Sequence, residues 1–174
     1  KQDLATIAPG RLIVVGNLPF NIATELLMRL AEGSDQIDRM VLMFQKEVGD
    51  RIAAKPGSKS YGRLSVMVQW MCEVESCFDV PPSAFVPAPK VSATVLRITP
   101  RAQTAFPATR ESLRAVTAAA FGQRRKTMRN ALKPILDDPE AALVGAGLSP
   151  SIRAERIDLA GFCSLAREFE ARTK

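Results

Sequence analysis

Asn17-Leu18-Pro19-Phe20 directly follows the apolar run Leu12-Ile13-Val14-Val15-Gly16. An Asn-Leu-Pro-aromatic turn at the end of a buried strand carries the groups needed to hold an amino-purine. The Asn side-chain carbonyl can accept a hydrogen bond from an exocyclic NH2, and the Leu main-chain carbonyl can accept a second. Proline sets the backbone before a substrate arrives. The aromatic ring can stack on a base drawn out of its helix. With its hydrogens held, the amine nitrogen is favoured in its pyramidal, nucleophilic form. That suits alkyl transfer driven by positioning and electrostatics and needs no strong base. The same four residues also make an ordinary strand-to-helix turn with Pro at the helix start.

Three other groups could act with this turn. Phe85 stands in the proline-flanked stretch Pro81-Pro82-Ser83-Ala84-Phe85-Val86-Pro87-Ala88-Pro89-Lys90. It either plugs the core or forms the second wall of a base-stacking slot opposite Phe20. Gln45-Lys46-Glu47-Val48 with Arg51 places Glu47 and Arg51 four apart, the spacing of a helix-surface ion pair. Lys59 and Arg63 are candidates for phosphate contact. Residues 112–136 hold six Lys or Arg and no acidic residue, centred on Phe121-Gly122-Gln123-Arg124-Arg125-Lys126-Thr127-Met128-Arg129-Asn130. Such a run is either a solvated helix face or a track for a phosphate backbone with salt-dependent affinity.

The composition narrows the chemistry. The 174 residues contain no His, which removes imidazole as base, triad member or metal ligand. Three Cys (Cys72, Cys77, Cys163) without a CxxC pair argue against a disulfide framework or a zinc site. No metal is expected. The net charge of +6 leans toward a polyanionic partner. Gly145-Ala146-Gly147 has no strand before it and reads as a turn between helices, and neither a G-x-G-x-x-G nor a Walker motif occurs. Lys1-Gln2-Asp3-Leu4 lacks the apolar core of a signal peptide, and no stretch reaches membrane-spanning length. A reducing cytoplasm and no membrane partner are expected.

These residues need elements to position them. Arg11 to Gly16 and Arg39 to Gln45 read as buried strands, with a helix over 21–31 between them capped by Asn21 or Thr24. Together they predict a βαβ unit in a parallel sheet covered on both faces. A helix starts at Gln45 and breaks at Lys55-Pro56-Gly57-Ser58. Leu64 to Met71 reads as helical. Cys72–Val80 and Val91–Thr99 alternate with the period of strands and predict an antiparallel pair joined by the stiff proline loop. Beyond Pro100 the pattern is helical over 109–121, 123–135, 139–146 and 158–172. The composition change places a domain boundary near residue 103, giving residues 1–103 and 104–174.

Taken in order, the motifs resemble the KsgA/RsmA family of small-subunit ribosomal RNA adenine dimethyltransferases. The matching stretches are Gly16-Asn17-Leu18-Pro19-Phe20-Asn21-Ile22, Gln45-Lys46-Glu47-Val48 with Arg51, Tyr61-Gly62-Arg63-Leu64-Ser65-Val66, Val80 to Phe85, Pro87 to Val91, Phe121 to Thr127, and Arg153-Ala154-Glu155. The resemblance implies a Rossmann-like, S-adenosylmethionine (SAM)-dependent methyltransferase domain and a small helical domain that binds rRNA. The implied reaction is N6,N6-dimethylation of two adjacent adenosines near the 3′ end of small-subunit rRNA, during ribosome biogenesis. It implies that Asn17 and Leu18 hold the adenine N6, that Asn17 borders SAM, that Phe20 and Phe85 enclose the base, and that Arg63, Arg124, Arg125, Lys126 and Arg129 face rRNA.

Two departures accompany it. Phe20 stands where the family more usually has Tyr, which keeps stacking and loses a hydroxyl. The family's glycine-rich SAM loop and its two acidic residues find no counterpart in this sequence. The expectation is therefore the C-terminal part of the enzyme, with residues 1–103 a partial Rossmann-like domain. Most of the SAM site would be missing, the chain inactive alone, a sheet edge exposed and the fold marginal or associating. The alternatives are a non-catalytic RNA-binding or ribosome-assembly module, and the erythromycin-resistance type of large-subunit rRNA methyltransferase. Residues 81–91 and 121–127 lean away from the latter. DNA adenine methyltransferases commonly have Pro where this sequence has Leu18.

Overall fold

The computed structural model describes residues 10–19 and 21–173. Phe20 and the expectations for residues 1–9 lie outside the described residues. Two units divide the chain: one runs through Ala53 and resumes over Met71–Gln103, and the other takes Ala54–Trp70 with the chain from Thr104 onward.

The first unit is built on β1 (Leu12–Asn17), α1 (Ala23–Glu32), β2 (Ile37–Gln45), α2 (Lys46–Ile52), β3 (Cys72–Val80) and β4 (Ala93–Pro100). The strand order is β1-β2-β4-β3. β1 and β2 are parallel, as a helical crossover requires, and β4 is antiparallel to both β2 and β3. The sheet is thus mixed. Alternation explains its core face: Met40, Leu42 and Phe44 of β2 point the same way as their register partners Ile98, Leu96 and Thr94 of β4, and all six are buried. α2 covers this face. Gly49 lets the helix backbone approach the Thr94 side chain, and the Lys46 amide donates to Ser92 O at 2.9 Å.

Cover on both faces does not hold for β1. Ile13 and Val15 are 57% and 74% exposed, while Leu12, Val14 and Gly16 are half-buried. The expectation of a remnant of a Rossmann-like domain is also corrected. The four strands form one continuous hydrogen-bonded sheet with its own helical cover and buried core, a compact α/β unit, and the helices of the second unit form another.

α1 starts later than expected, and neither Asn21 nor Thr24 caps it. Ile22 takes the cap position without a side-chain hydrogen bond. A preceding turn does the work: the Ile22 amide donates to Pro19 O at 3.1 Å and the Leu26 amide to Ile22 O at 2.9 Å. Pro19 therefore precedes the helix, outside its first turn. α1 buries Ala23, Leu27 and Ala31 rather than Ile22, which is exposed.

The second unit contains α3 (Arg63–Met71, which runs to its boundary), α4 (Arg110–Gly122), α5 (Met128–Leu132), α6 (Pro139–Gly145) and α7 (Leu159–Thr173). Thr109 caps α4 by accepting from the Ser112 amide, and Asp138 caps α6 by accepting from the Ala141 amide at 3.0 Å, with Pro139 in the first turn. α6 ends as a Schellman motif. Leu148 N–H reaches Leu143 O and Gly147 N–H reaches Val144 O, with Gly147 at φ +74°. Tyr61, Phe121 and Phe162 contact in series, Tyr61 edge-on to Phe121 at a centroid distance of 5.9 Å and Phe121 tilted on Phe162 at 5.4 Å. The single helix expected over 123–135 is corrected. Gln123 to Thr127 form a turn, and only Met128–Leu132 is helical.

Candidate active site

β1 ends at Asn17, so its turn emerges at the end of the sheet where β2 passes into α2. The loop between β3 and β4 reaches the same place. Asn17, Leu18 and Pro19 form one wall of a cleft of about 380 Å³, and Phe85, Pro87 and Pro89 form the other. Two short hydrogen-bonded turns shape the second wall, with the Ala84 amide donating to Pro81 O at 3.1 Å and the Phe85 amide to Pro82 O at 3.2 Å. Proline at four of the first nine loop positions limits what other shapes the loop can take. Gly16 keeps β1 close behind the turn: a β-carbon there would lie 3.3 Å from the Leu18 side chain.

The cleft has the chemistry that the turn suggested. Its walls are mostly apolar, and Asn17 supplies an exposed carboxamide. Phe85 is half-buried, so part of its side chain stays open to a ligand in the cleft it lines. Pro87 and Pro89 are lining residues that sequence reasoning missed. Proline reads as backbone control in a sequence, and its ring as a contact surface becomes visible only once the loop is folded against the turn. At the start of α2, the Lys46 ammonium lies 2.9 Å from Asp79 and 3.2 Å from Asp50. The hydrogen bond to Asp79 raises the lysine's pKa, and the same bond lowers that of the Asp79 carboxyl. On α2 Lys46 pairs with Asp50, and through Asp79 it also ties α2 to β3.

The basic residues of the second unit do not form one helix face. Arg124, Arg125 and Lys126 occupy the α4–α5 turn and are exposed, and Arg129 lies on α5. Their environments differ. The Arg124 guanidinium donates to Lys59 O at 3.0 Å and Tyr61 O at 3.2 Å. Arg129 pairs with Glu140 at 3.4 Å. Arg63 opens α3 and is exposed. Among the described residues no group of three His, Cys, Asp or Glu could hold a metal ion, and no helix is long and apolar enough to cross a membrane.

A family model described as ribosomal RNA adenine dimethylase matches residues 7–171. The chain is 53% identical over 169 residues to ribosomal RNA small subunit methyltransferase A of Rhodospirillum rubrum, covering 97% of this chain and 58% of the relative. It is 52% identical over 160 residues to the protein of the same name from Paramagnetospirillum magneticum, covering 92% of this chain and 57% of the relative. The chain thus spans somewhat over half the length of these curated relatives. Among solved structures, a dimethyladenosine transferase from Plasmodium falciparum superposes with a TM-score of 0.81 at 21% identity, over 95% of this chain and 69% of that one. The 23S rRNA methyltransferase ErmE gives 0.68 at 20%, over 94% and 67%. At such identities these two likenesses speak for the fold alone.

The family match corrects one expectation. Sequence reasoning reduced the chain to a family member lacking its N-terminal SAM-binding portion, but the match runs from residue 7 to residue 171 and is not confined to a C-terminal remnant. Over residues 7–171, the chain belongs to the ribosomal RNA adenine dimethylase family.

Proposed function

We propose that this protein transfers methyl groups from SAM to N6 of two adjacent adenosines near the 3′ end of small-subunit rRNA, as a step in ribosome biogenesis. The observation that carries the reading is the meeting of Asn17-Leu18-Pro19 with Phe85 in one cleft. Those walls suit a flat, amine-bearing heterocycle: apolar rings on one side, a carboxamide and a main-chain carbonyl on the other. The names of the relatives, as small-subunit rRNA methyltransferases, support the same substrate.

In this reading the target adenosine leaves its stack and enters the cleft. Phe85 packs on the ring, and Phe20 is assigned to the opposite face. The Asn17 side-chain oxygen and the Leu18 carbonyl accept hydrogen bonds from the N6 hydrogens. Held in this way, the N6 lone pair is withdrawn from conjugation with the ring and directed outward. Pro19 keeps both acceptors in place before binding, so the orientation is not created at substrate expense. SAM supplies an electrophilic methyl group, and the exposed Asn17 carboxamide at the cleft rim fits a residue that borders the donor as well as the acceptor. The proton leaves N6 once the nitrogen has gained its methyl and become acidic, so a strong base is unnecessary.

The helical unit, residues 104–174, is assigned to rRNA binding, with Arg63 joining it from α3. Arg125 and Lys126 contact phosphate most directly, while Arg124 and Arg129 already hold protein partners. A ribosomal substrate also supports a cytoplasmic location.

The test is methyl transfer from labelled SAM to under-methylated small ribosomal subunits. The expected product is N6,N6-dimethyladenosine, lost by about a hundredfold or more in Asn17→Ala because an acceptor aligned on the reacting amine is removed. Failure to bind subunits or to methylate them would overturn the reading. Binding without transfer would favour a non-catalytic RNA-binding module, a role the exposed Arg125 and Lys126 could serve alone.

A further inference from the structure

Val86 is fully exposed, at 100% of its reference surface, and it sits between two residues that line the cleft, Phe85 and Pro87. One exposed valine is ordinary on a protein surface. The surroundings of this one are not. From Pro81 to Val91 only Ser83 and Lys90 are polar, yet most of these residues are exposed. The tip of the loop, Ala84 to Pro89, carries no charge in a chain of net charge +6. Hydrogen-bonded turns and four prolines hold that tip in one shape. A stiff, uncharged, apolar projection is a poor contact for phosphate and a good one for the faces of bases.

Extruding a base leaves a gap in the stack and forfeits stacking energy at each disrupted step. Apolar side chains inserted between base steps offset that cost in proteins that kink nucleic acids. We propose that Val86 is such a wedge: it enters the rRNA stack beside the target adenosine and fills the space the base vacates, while Phe85 next to it receives the base. Placing the receiving ring and the wedge on adjacent residues couples extrusion to capture. One side chain cannot be seated without bringing the other to the cleft mouth. The proposal rests on the reading of the cleft as an adenosine site.

The experiment uses the 174-residue protein and an RNA hairpin with two adjacent adenosines, carrying 2-aminopurine beside the first. Fluorescence reports unstacking of the probe, and anisotropy of an end label reports binding. Val86→Ser removes the apolar wedge at a position that buries nothing in the fold, and Val86→Leu enlarges it. The expected result is hairpin affinity within about threefold for all three proteins, with the extruded fraction about tenfold lower in Val86→Ser and restored in Val86→Leu. Equal unstacking by wild type and Val86→Ser would overturn the wedge and leave the adenosine site standing. A wild-type protein that neither binds nor unstacks the hairpin would overturn the functional reading, and the wedge with it.

Discussion

Gly49 of α2 faces the side chain of Thr94 in β4 so closely that a β-carbon on the glycine would overlap the threonine γ-methyl. This approach lets α2 lie on the core face of the sheet.

Gly49→Ala is therefore expected to destabilise the protein. Helix propensity favours the alanine by about 0.5–1 kcal/mol, but overpacking a filled site costs about 1–3 kcal/mol, so the net loss should be about 1–2 kcal/mol. Thr94→Ser removes the obstructing methyl, and the double variant should recover part of the loss, because residues in contact are not additive. Urea unfolding of the four proteins measures this. A Gly49→Ala variant as stable as wild type would contradict the packing.

The cysteines separate by burial. Cys72 and Cys163 are buried and Cys77 is exposed. Burial pushes the Cys72 thiol up to about 12 and the Cys163 thiol up to about 11, from 9.0, and it also raises the Tyr61 phenol. An acid whose pKa is raised by folding holds its proton longer in the native state. Above pH 9 the unfolded chain has released protons that the native chain still binds, so stability falls as pH rises. The denaturation midpoint is expected to hold up to pH 8 and to decline between pH 9 and 11. A thiol reagent under native conditions should modify Cys77 alone. A flat midpoint over that range, or rapid modification of all three thiols, would count against the burial described.

Where local pattern and tertiary structure agree, the sequence was readable. Cys72–Val80 is bounded as expected because it is flanked by a helix and by Pro81-Pro82, while β1, expected over Arg11 to Gly16, runs one residue later at both ends and takes Gly16 inside the strand. The segment 123–135 was not readable. Arg, Lys, Met and Ala favour helix there, but Arg124 donates to the Lys59 and Tyr61 carbonyls, and the Met128 and Arg129 amides donate to Ile152 O and Pro150 O. These long-range partners hold a turn that no local propensity encodes. The grouping of Ala54–Trp70 with the helices was equally hidden. It depends on contacts such as Trp70 Nε1 to Phe106 O and Arg124 to Lys59 O and Tyr61 O, which leave no compositional mark. In the cleft, Asn17 and Phe85 were legible by residue type, while the lining by Pro87 and Pro89 was not.

Lys46 and Asp79 offer a direct test of the link between α2 and β3. The lysine's hydrogen bond lowers the Asp79 carboxyl from its ordinary 3.8, with a smaller contribution from Thr94. A carboxyl lowered by folding contributes stability above its unfolded pKa and loses it as pH falls through the folded value, so the contribution disappears on the acid side. In Lys46→Met the Asp79 carboxyl is expected to titrate at higher pH than in wild type, read from its carboxyl carbon shift by NMR. An unchanged titration would mean that the pair does not persist in solution. Both groups are exposed, so the change in stability itself should be small.

Arg124 and Arg125 are adjacent and chemically identical, and the structure gives them different work. The Arg124 guanidinium bridges two main-chain carbonyls of the 59–61 segment, whereas Arg125 lies exposed on the turn. Removing hydrogen bonds from a charged donor costs about 1.5–3 kcal/mol each at most, and less where water can replace it. Arg124→Ala should therefore lower the stability of the protein by about 1–2 kcal/mol, and Arg124→Lys should recover part of it. Arg125→Ala should leave stability within about 0.5 kcal/mol. If Arg125 contacts phosphate, its loss should reduce the slope of log affinity against log salt by about one for RNA binding. Denaturant unfolding and salt-titrated binding to small ribosomal subunits give the two readouts. Arginines that behave alike in both would refute the division of labour, and a loss of salt dependence confined to Arg124→Ala would reverse it.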